Sequence, residues 1–183
     1  ADTIMLLGVD LKKKTLGAIS IPRDTRVTAP DGKTGKINAT LVRGNIELTA
    51  ATVSEMFDVP IDYTVALKAD AVKEIVNAVG GVWVEPIDDM KYNDSWGQLD
   101  IDLKKGRQRV NGEQAVGYVR FREVKKGTKH SKEEGDFRRT ARQQELIRAL
   151  FAEAMQPRNL DRADTIIDVG FQQIETNLTR PQL

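Results

Sequence analysis

Four short segments carry side chains able to do chemistry, and most of that chemistry belongs to arginine. The first is Ser20-Ile21-Pro22-Arg23-Asp24-Thr25 and the second is Tyr118-Val119-Arg120-Phe121-Arg122. The third is Gly135-Asp136-Phe137-Arg138-Arg139-Thr140-Ala141-Arg142-Gln143-Gln144, and the fourth is Lys36-Ile37-Asn38, a cation and an amide after a loop. A planar guanidinium gives two parallel charge-assisted hydrogen bonds to phosphate oxygens. Several such forks around one site suit a pyrophosphate better than a single carboxylate. Asp2 adds a hard oxygen donor. Beside a pyrophosphate, one carboxylate is enough for Mg²⁺, which keeps most of its water shell.

These residues need elements to place them. Asp2 to Val9 is apolar on both parities, as in a strand covered on both faces. Thr15 to Ile21 reads as its hairpin partner. Folding about Lys12 pairs Asp10 with Lys14, sets Asp2 opposite Pro22, and leaves Asp2 and Arg23 at one end of the sheet. Lys36-Ile37-Asn38 opens a short helix ending near Gly44, and Leu48 to Phe57 forms another. Tyr63 to Leu67 reads as a strand, Asp70 to Val79 as a helix closed by Gly80-Gly81, and Val82 to Val84 as a strand. Residues Asp88 to Gln98 read as an acidic loop, and Leu99 to Leu103 as a half-exposed strand.

Asn111 to about Tyr118 is a helix. If the chain beyond it is extended, Arg120 and Arg122 share a side. Lys125 to Gly135 reads as a charged loop. Asp136 then caps the longest helix, which runs to Met155 with a stripe of Thr140, Gln144, Ile147, Phe151 and Ala154. Asp136, Arg139 and Gln143 share one face at its N-terminal end, where free N–H groups and the dipole favour an anion. Leu160 to Leu183 reads as one more helix and an irregular tail. Helices and strands alternate, which makes the fold class α/β.

Composition excludes much else. The chain has 183 residues, no Cys and one His, His130. Thiol nucleophiles, disulfides and Cys-ligated metals are out, and a Ser-His-Asp triad or multi-His zinc site is unsupported. Asp88, Asp89 and Asp94 do not match a Ca²⁺ loop, which needs a glycine and a terminal glutamate. No apolar run approaches the roughly 20 residues of a membrane-spanning helix. The formal charge of +1 hides a split. Gly44 to Asp102 holds 12 acidic and three basic residues, net −9; Leu103 to Arg142 holds 13 basic and five acidic, net +8. That basic stretch has few aromatics beside its arginines, so it is no platform for nucleic acid.

Each feature has a structural competitor. Asp2 could pair with Arg23, Arg120 and Arg122 could form a surface stripe, and Asp136 could be only a cap. Residue chemistry by itself stops at an anion-binding α/β domain.

Taken in order, the segments resemble the LytR-CpsA-Psr family of bacterial cell-envelope phosphotransferases. The matching stretches are Asp2-Thr3-Ile4-Met5-Leu6, Ser20 to Thr25, Lys36-Ile37-Asn38-Ala39, Val59-Pro60-Ile61-Asp62-Tyr63 and Val79-Gly80-Gly81-Val82. Gly112-Glu113-Gln114-Ala115, Tyr118 to Arg122, Gly135-Asp136, Arg139, Arg142-Gln143-Gln144 and Thr176-Asn177-Leu178-Thr179 complete the set. The resemblance spans essentially the whole chain.

It implies a single three-layer α-β-α domain with a central mixed sheet over residues 1–183. It implies transfer of a phosphoglycan, such as teichoic acid or capsule, from a polyprenyl-pyrophosphate carrier to peptidoglycan, assisted by Mg²⁺. Asp2 resembles the family's metal-site aspartate. Arg23, Arg120, Arg122 and Arg139 resemble its pyrophosphate-holding arginines. Lys36, Asn38 and Gln143 resemble further head-group contacts, and Asp136 resembles the acid that orients the arginines. Members usually carry another aspartate on an upstream strand and an N-terminal membrane anchor; the expectation is an extracytoplasmic domain without either. Two other uses of the same site stay open: a non-catalytic binder of lipid pyrophosphate or glycan, and a pyrophosphate hydrolase.

Overall fold

The computed structural model describes residues 3–67, 69–94, 99–121, 131–161 and 163–179. Helices and strands are mixed along the chain, so the α/β class holds. Among the described residues the strands pair two by two. The chain divides into two compact units, residues 1–66 with 174–183, and residues 67–173.

The first unit begins with β1 (Ile4–Asp10) and β2 (Thr15–Ile21), an antiparallel hairpin. Its register runs from Ile4 opposite Ile21 to Asp10 opposite Thr15, one residue off the expected pairing of Asp10 with Lys14. The turn is the cause. Asp10 Oδ1 accepts from the Lys13 N–H at 2.9 Å, and Lys14 takes a left-handed φ of 52°, so four residues make the connection rather than three. Among the described residues one face of the hairpin meets a core: Ile4, Leu6 and Ile21 pack with Ile37, Val53, Val27, Phe57 and Ile61. Leu7 and Val9 face out, 42% and 52% exposed, contrary to the expected two-sided cover.

The strands β3 (Arg26–Thr28) and β4 (Thr34–Lys36) pair antiparallel, and α1 (Asn38–Phe57) follows. The two expected helices are one element with a break: Gly44 and Asn45 leave helical geometry, Asn45 at φ 59°. A Cβ on Gly44 would lie 2.7 Å from Leu48 Cβ, so the break needs glycine there. β5 (Val65–Leu67) pairs with β10 (Ile174–Thr176), a strand in what was expected to be tail. The Asn177 side chain accepts from the Thr64 N–H at 2.7 Å, and the Thr176 hydroxyl donates to the Thr64 carbonyl at 2.6 Å. The Thr176-Asn177 motif therefore acts here as a staple.

The second unit starts with α2 (Ala69–Ala78), which ends on Gly80 and Gly81 at φ 82° and 95°. Their N–H groups return to Asn77 O and Val76 O, satisfying carbonyls that the helix end leaves open. β6 (Val82–Val84) pairs with β9 (Gln108–Val110), and β7 (Met90–Asp94) with β8 (Leu99–Leu103), both antiparallel. β7 falls where an acidic loop was expected. Its Met90 is buried opposite Leu103, and β8 supplies the pairing that its polar residues hide from a sequence pattern.

The helix α3 (Gly112–Arg120) opens on a capping box between Asn111 and Gln114. α4 (Ser131–Ala154), α5 (Pro157–Leu160) and α6 (Ala163–Gln173) follow. The core joins Val76, Val79, Val82, Val84, Ile101, Leu103, Val110, Ala115, Tyr118 and Leu146. Toward it α4 turns Leu146, Ala149 and Leu150, not the expected stripe, whose members are only half-buried.

At Gly112 the start of α3 lies against α2. A Cβ there would sit 2.2 Å from the Lys73 carbonyl oxygen, and the Gly112 N–H donates to Asn77 Oδ1 at 2.8 Å. Neither backbone can yield without parting the helices. Gly112→Ala is expected to cost about 3 kcal/mol and to lower the calorimetric midpoint by roughly 6–12 °C.

Candidate functional site

The first unit brings two of the four singled-out segments together through backbone geometry. Pro22, Arg23, Asp24 and Thr25 form a turn closed by the Thr25 N–H and hydroxyl, both donating to Pro22 O at 2.9 and 2.7 Å. Pro22 fits because it ends β2 where no ladder donor is needed. The next link is between segments: Ile37 N–H donates to Thr25 O at 2.8 Å, and Asn38 N–H to Arg23 O at 3.2 Å. The start of α1 is thereby tied to the Arg23 turn.

On that frame the Lys36 ammonium lies 2.6 Å from Asp24 Oδ1, and Arg23 Nε lies 3.7 Å from Asp24 Oδ2. Arg23 and Lys36 thus meet on a carboxylate that sequence reading did not assign a role. All three side chains are half or more exposed, so the cluster is open to solvent. Asn38 stands beside them, half-buried.

The hydrogen bond from Lys36, opposed by desolvation and then aided by the charges of Lys36 and Arg23, holds the Asp24 carboxyl below its ordinary value of 3.8. The sign follows from linkage. A depressed folded value stabilises the fold above the ordinary carboxylate range, and that contribution disappears as pH falls through the folded value. In an NMR titration, Lys36→Ala is expected to move the Asp24 midpoint upward; an unmoved midpoint would show that Lys36 does not hold the carboxylate.

The second unit places Arg120, Arg139 and Gln143 on a packed pair of helices. Arg120 is the last residue of α3, which stops at Phe121. It is helical, so the expected extended pairing of its side chain with that of Arg122 does not hold for it. Its side chain is exposed, and among the described residues it makes no hydrogen bond or ion pair. The helix end beneath it is held tightly. The Tyr118 hydroxyl donates to Glu145 Oε2 at 2.5 Å, and Glu145 Oε1 accepts from the Glu85 N–H at 2.8 Å. The Arg142 guanidinium donates to the Phe121 carbonyl, which α3 leaves open, and lies over the Tyr118 and Phe121 rings, 5.9 and 5.6 Å from their centroids.

Burial, then the hydrogen bond and charge of Glu145, push the Tyr118 phenol well above its usual range, so it remains a proton donor in this lock. Arg139 is half-buried with its Nε enclosed, and Gln143 follows one turn on. Arg138 reaches Asp88 at 3.3 Å. Beside these residues is a cavity of about 120 Å³ that includes Tyr118, Phe121, Arg138 and Arg142 in its walls.

One expected feature is corrected. α4 starts at Ser131, five residues before Asp136, so Asp136 is inside the helix and not its cap. Arg139 lies in the third turn, beyond the first-turn reach of the helix dipole. Residues Lys132 to Glu134 have helix-forming side chains that extend the element backward through what read as a charged loop. The side chain of Asp136, and all of Asp2 and Arg122, lie outside the described residues.

Sequence reading missed Asp24, Arg142 and Glu145. Arg142 and Glu145 had one available signal, charges on the core side of a long helix, where an ion is kept only if paired.

No group of three or more metal-ligating side chains occurs among the described residues. Asp24 is already engaged by Lys36 and Arg23.

Comparison with known proteins gives one consistent result. The model of the LytR_cpsA_psr family matches residues 1–183. The polyisoprenyl-teichoic acid–peptidoglycan teichoic acid transferase TagV of Bacillus subtilis is 35% identical over 182 residues, 97% of this chain and 45% of TagV. TagT of the same organism is 31% identical, over 98% of this chain and 53% of TagT. The chain thus spans about half the length of these relatives. The crystal structure of B. subtilis TagV superposes with a TM-score of 0.80 at 32% identity, over 99% of this chain and 67% of that one. A structure of TagT bound to LI-WTA superposes at 0.69 with 28% identity, over 98% of this chain and 64% of that one.

Proposed function

The chain belongs to the LytR-CpsA-Psr family, and from that premise we propose that it transfers a phosphoglycan from a polyprenyl-pyrophosphate carrier to peptidoglycan. The relatives' names supply the substrate class. The observation that carries the reading for this chain is Arg120: an exposed guanidinium, unengaged by the described residues, on a helix end locked by Tyr118, Glu145 and Arg142. A cation carried on a held helix end, and not engaged by the described residues, is suited to a ligand anion.

Phosphoryl transfer needs positioning and charge stabilisation more than covalent participation by protein. An acceptor hydroxyl of peptidoglycan attacks the phosphorus next to the glycan. The new O–P bond forms, the bond to the bridging oxygen breaks, and its electron pair leaves with polyprenyl phosphate while the hydroxyl proton is released. Arg23, Arg120, Arg122 and Arg139 take the charge of the phosphates. Lys36, Asn38 and Gln143 serve as further head-group contacts, and Asp136 orients arginines. Asp2 is the proposed Mg²⁺ ligand, and a bound ion would neutralise phosphate charge. The site works at the extracytoplasmic face of the membrane, with an N-terminal anchor in the full-length protein. Among the described residues no helix is long and apolar enough to cross a membrane.

The test is product analysis with a lipid-linked teichoic acid precursor and peptidoglycan. Polyprenyl monophosphate together with glycan covalently joined to peptidoglycan is the expected result. Phosphoglycan released into water would make the protein a hydrolase, and retained substrate without turnover would make it a binder; either overturns the proposal.

A further inference from the structure

The outer face of the β6–β9 ladder carries an aromatic and cationic surface that the proposed chemistry does not use. Val82, Val84 and Val110 are buried at 0%, 1% and 1% exposure, so alternate residues must point the other way. Those are Trp83, its cross-strand partner Arg109, and Arg107 two residues earlier. Trp83 is 44% exposed. The Arg107 guanidinium lies 5.0 Å from the indole centroid and, among the described residues, forms no hydrogen bond or ion pair.

Arg109 is fixed from behind. Its Nε donates to Gly80 O at 3.2 Å and its Nη2 to Glu153 at 3.2 Å and Gly81 O at 3.5 Å, which leaves its Nη1 edge unused by the described residues. Glu153 is nearly buried and also takes Arg158. Glu85, next along this face, pairs with none of the three arginines; set against Arg107, Arg109 and Arg158 it and Glu153 leave a small positive excess, with Arg107 the cation that no carboxylate engages among the described residues. A shallow recess of about 500 Å³ opens at the same end of the ladder, between Pro86-Ile87 and Lys105-Gly106; Glu85 and Glu145 also line it, so it suits the uncharged parts of a ligand and not its anions.

We propose that this face binds an anionic, phosphate-bearing glycan chain. An indole plane stacks on the C–H faces of sugars or polyols, and held guanidiniums grip phosphodiesters without having to be ordered first. The indole would stack on any glycan, but only an anionic one also gains charge-assisted hydrogen bonds from Arg107 and the Arg109 edge. The choice of polymer rests on the transferase reading, in which this surface would hold repeating units away from the pyrophosphate.

Calorimetry on the folded chain tests this with lipid-free poly(glycerol phosphate) teichoic acid. Trp83→Ala and Arg107→Gln are each expected to weaken its Kd about tenfold, with inorganic pyrophosphate binding unchanged. Should Trp83→Ala fail to fold, Trp83→Leu and Arg107→Gln decide. Unchanged Kd values in the folded variants would overturn the proposal. So would equal binding of uncharged dextran, or an equal loss of duplex DNA binding, which would mark a general polyanion surface. No turnover is measured, so the result is separable from the transferase reading. Absent transfer with intact polymer binding defeats only that reading; normal transfer with unaltered polymer binding in the variants defeats only this one.

Discussion

Arg120→Ala is expected to lose glycopolymer transfer by a factor of about 100–1000 while its thermal midpoint stays where it was. The two halves of that result depend on the same observation. The Arg120 side chain is exposed and makes no hydrogen bond or ion pair among the described residues, so the fold has little to lose. A donor aimed at charge that builds in the transition state is worth about 3–4 kcal/mol in a preorganised site. Arg120→Lys keeps the charge but loses the planar fork, and should recover only part of the rate. The same pair of changes at Arg139 is a less clean test, since its Nε is enclosed and stability will move too. Initial rates with a lipid-linked precursor, beside a calorimetric scan, decide the matter. Transfer within threefold of the parent in Arg120→Ala would remove the arginine model.

Glu145→Ala should damage both stability and turnover. Its two carboxylate oxygens serve the Tyr118 hydroxyl at 2.5 Å and the Glu85 N–H at 2.8 Å, joining α3, α4 and the end of β6. Tyr118 is 1% exposed, and Glu145 is its hydroxyl's partner in the fold. An unsatisfied buried donor costs about 1–3 kcal/mol; the Tyr118 hydroxyl is one, while the exposed Glu85 N–H can turn to water. The expected loss is about 2 kcal/mol, or roughly 4–8 °C in the midpoint. Because α3 ends at Arg120, loosening this lock should also lower kcat well below the midpoint temperature. Tyr118→Phe removes one of the two bonds and should fall between parent and Glu145→Ala in both measurements. If Glu145→Ala keeps full kcat at low temperature, the lock holds the fold and does not position the site.

The local devices were legible because they are local. The helix opening at Asn111, the Gly80-Gly81 stop and the Val82 to Val84 strand each depend on neighbours within a few residues. The arginine segments were legible for a different reason: their residue types carry a chemistry that needs no fold to be named. Even locally there were failures. Register in the first hairpin turned on Lys14 accepting a left-handed φ, which a Lys-Lys-Lys run does not advertise. The start of α4 at Ser131 went unseen because a charged stretch reads equally as solvated loop or solvated helix.

By itself the sequence determined the α/β class and the family, and it supplied the arginine segments on which the proposed chemistry rests. Only tertiary structure decided which charges meet. Asp24 became the partner of Lys36 because backbone hydrogen bonds dock the α1 start on the Arg23 turn. Glu145 became the anchor of Tyr118 because α4 packs on α3. Asn177 stapled Thr64 across 113 residues of chain. The physical reason is shared: a charge or donor is satisfied by whatever packing brings within about 3 Å, and separation along the chain does not encode that distance.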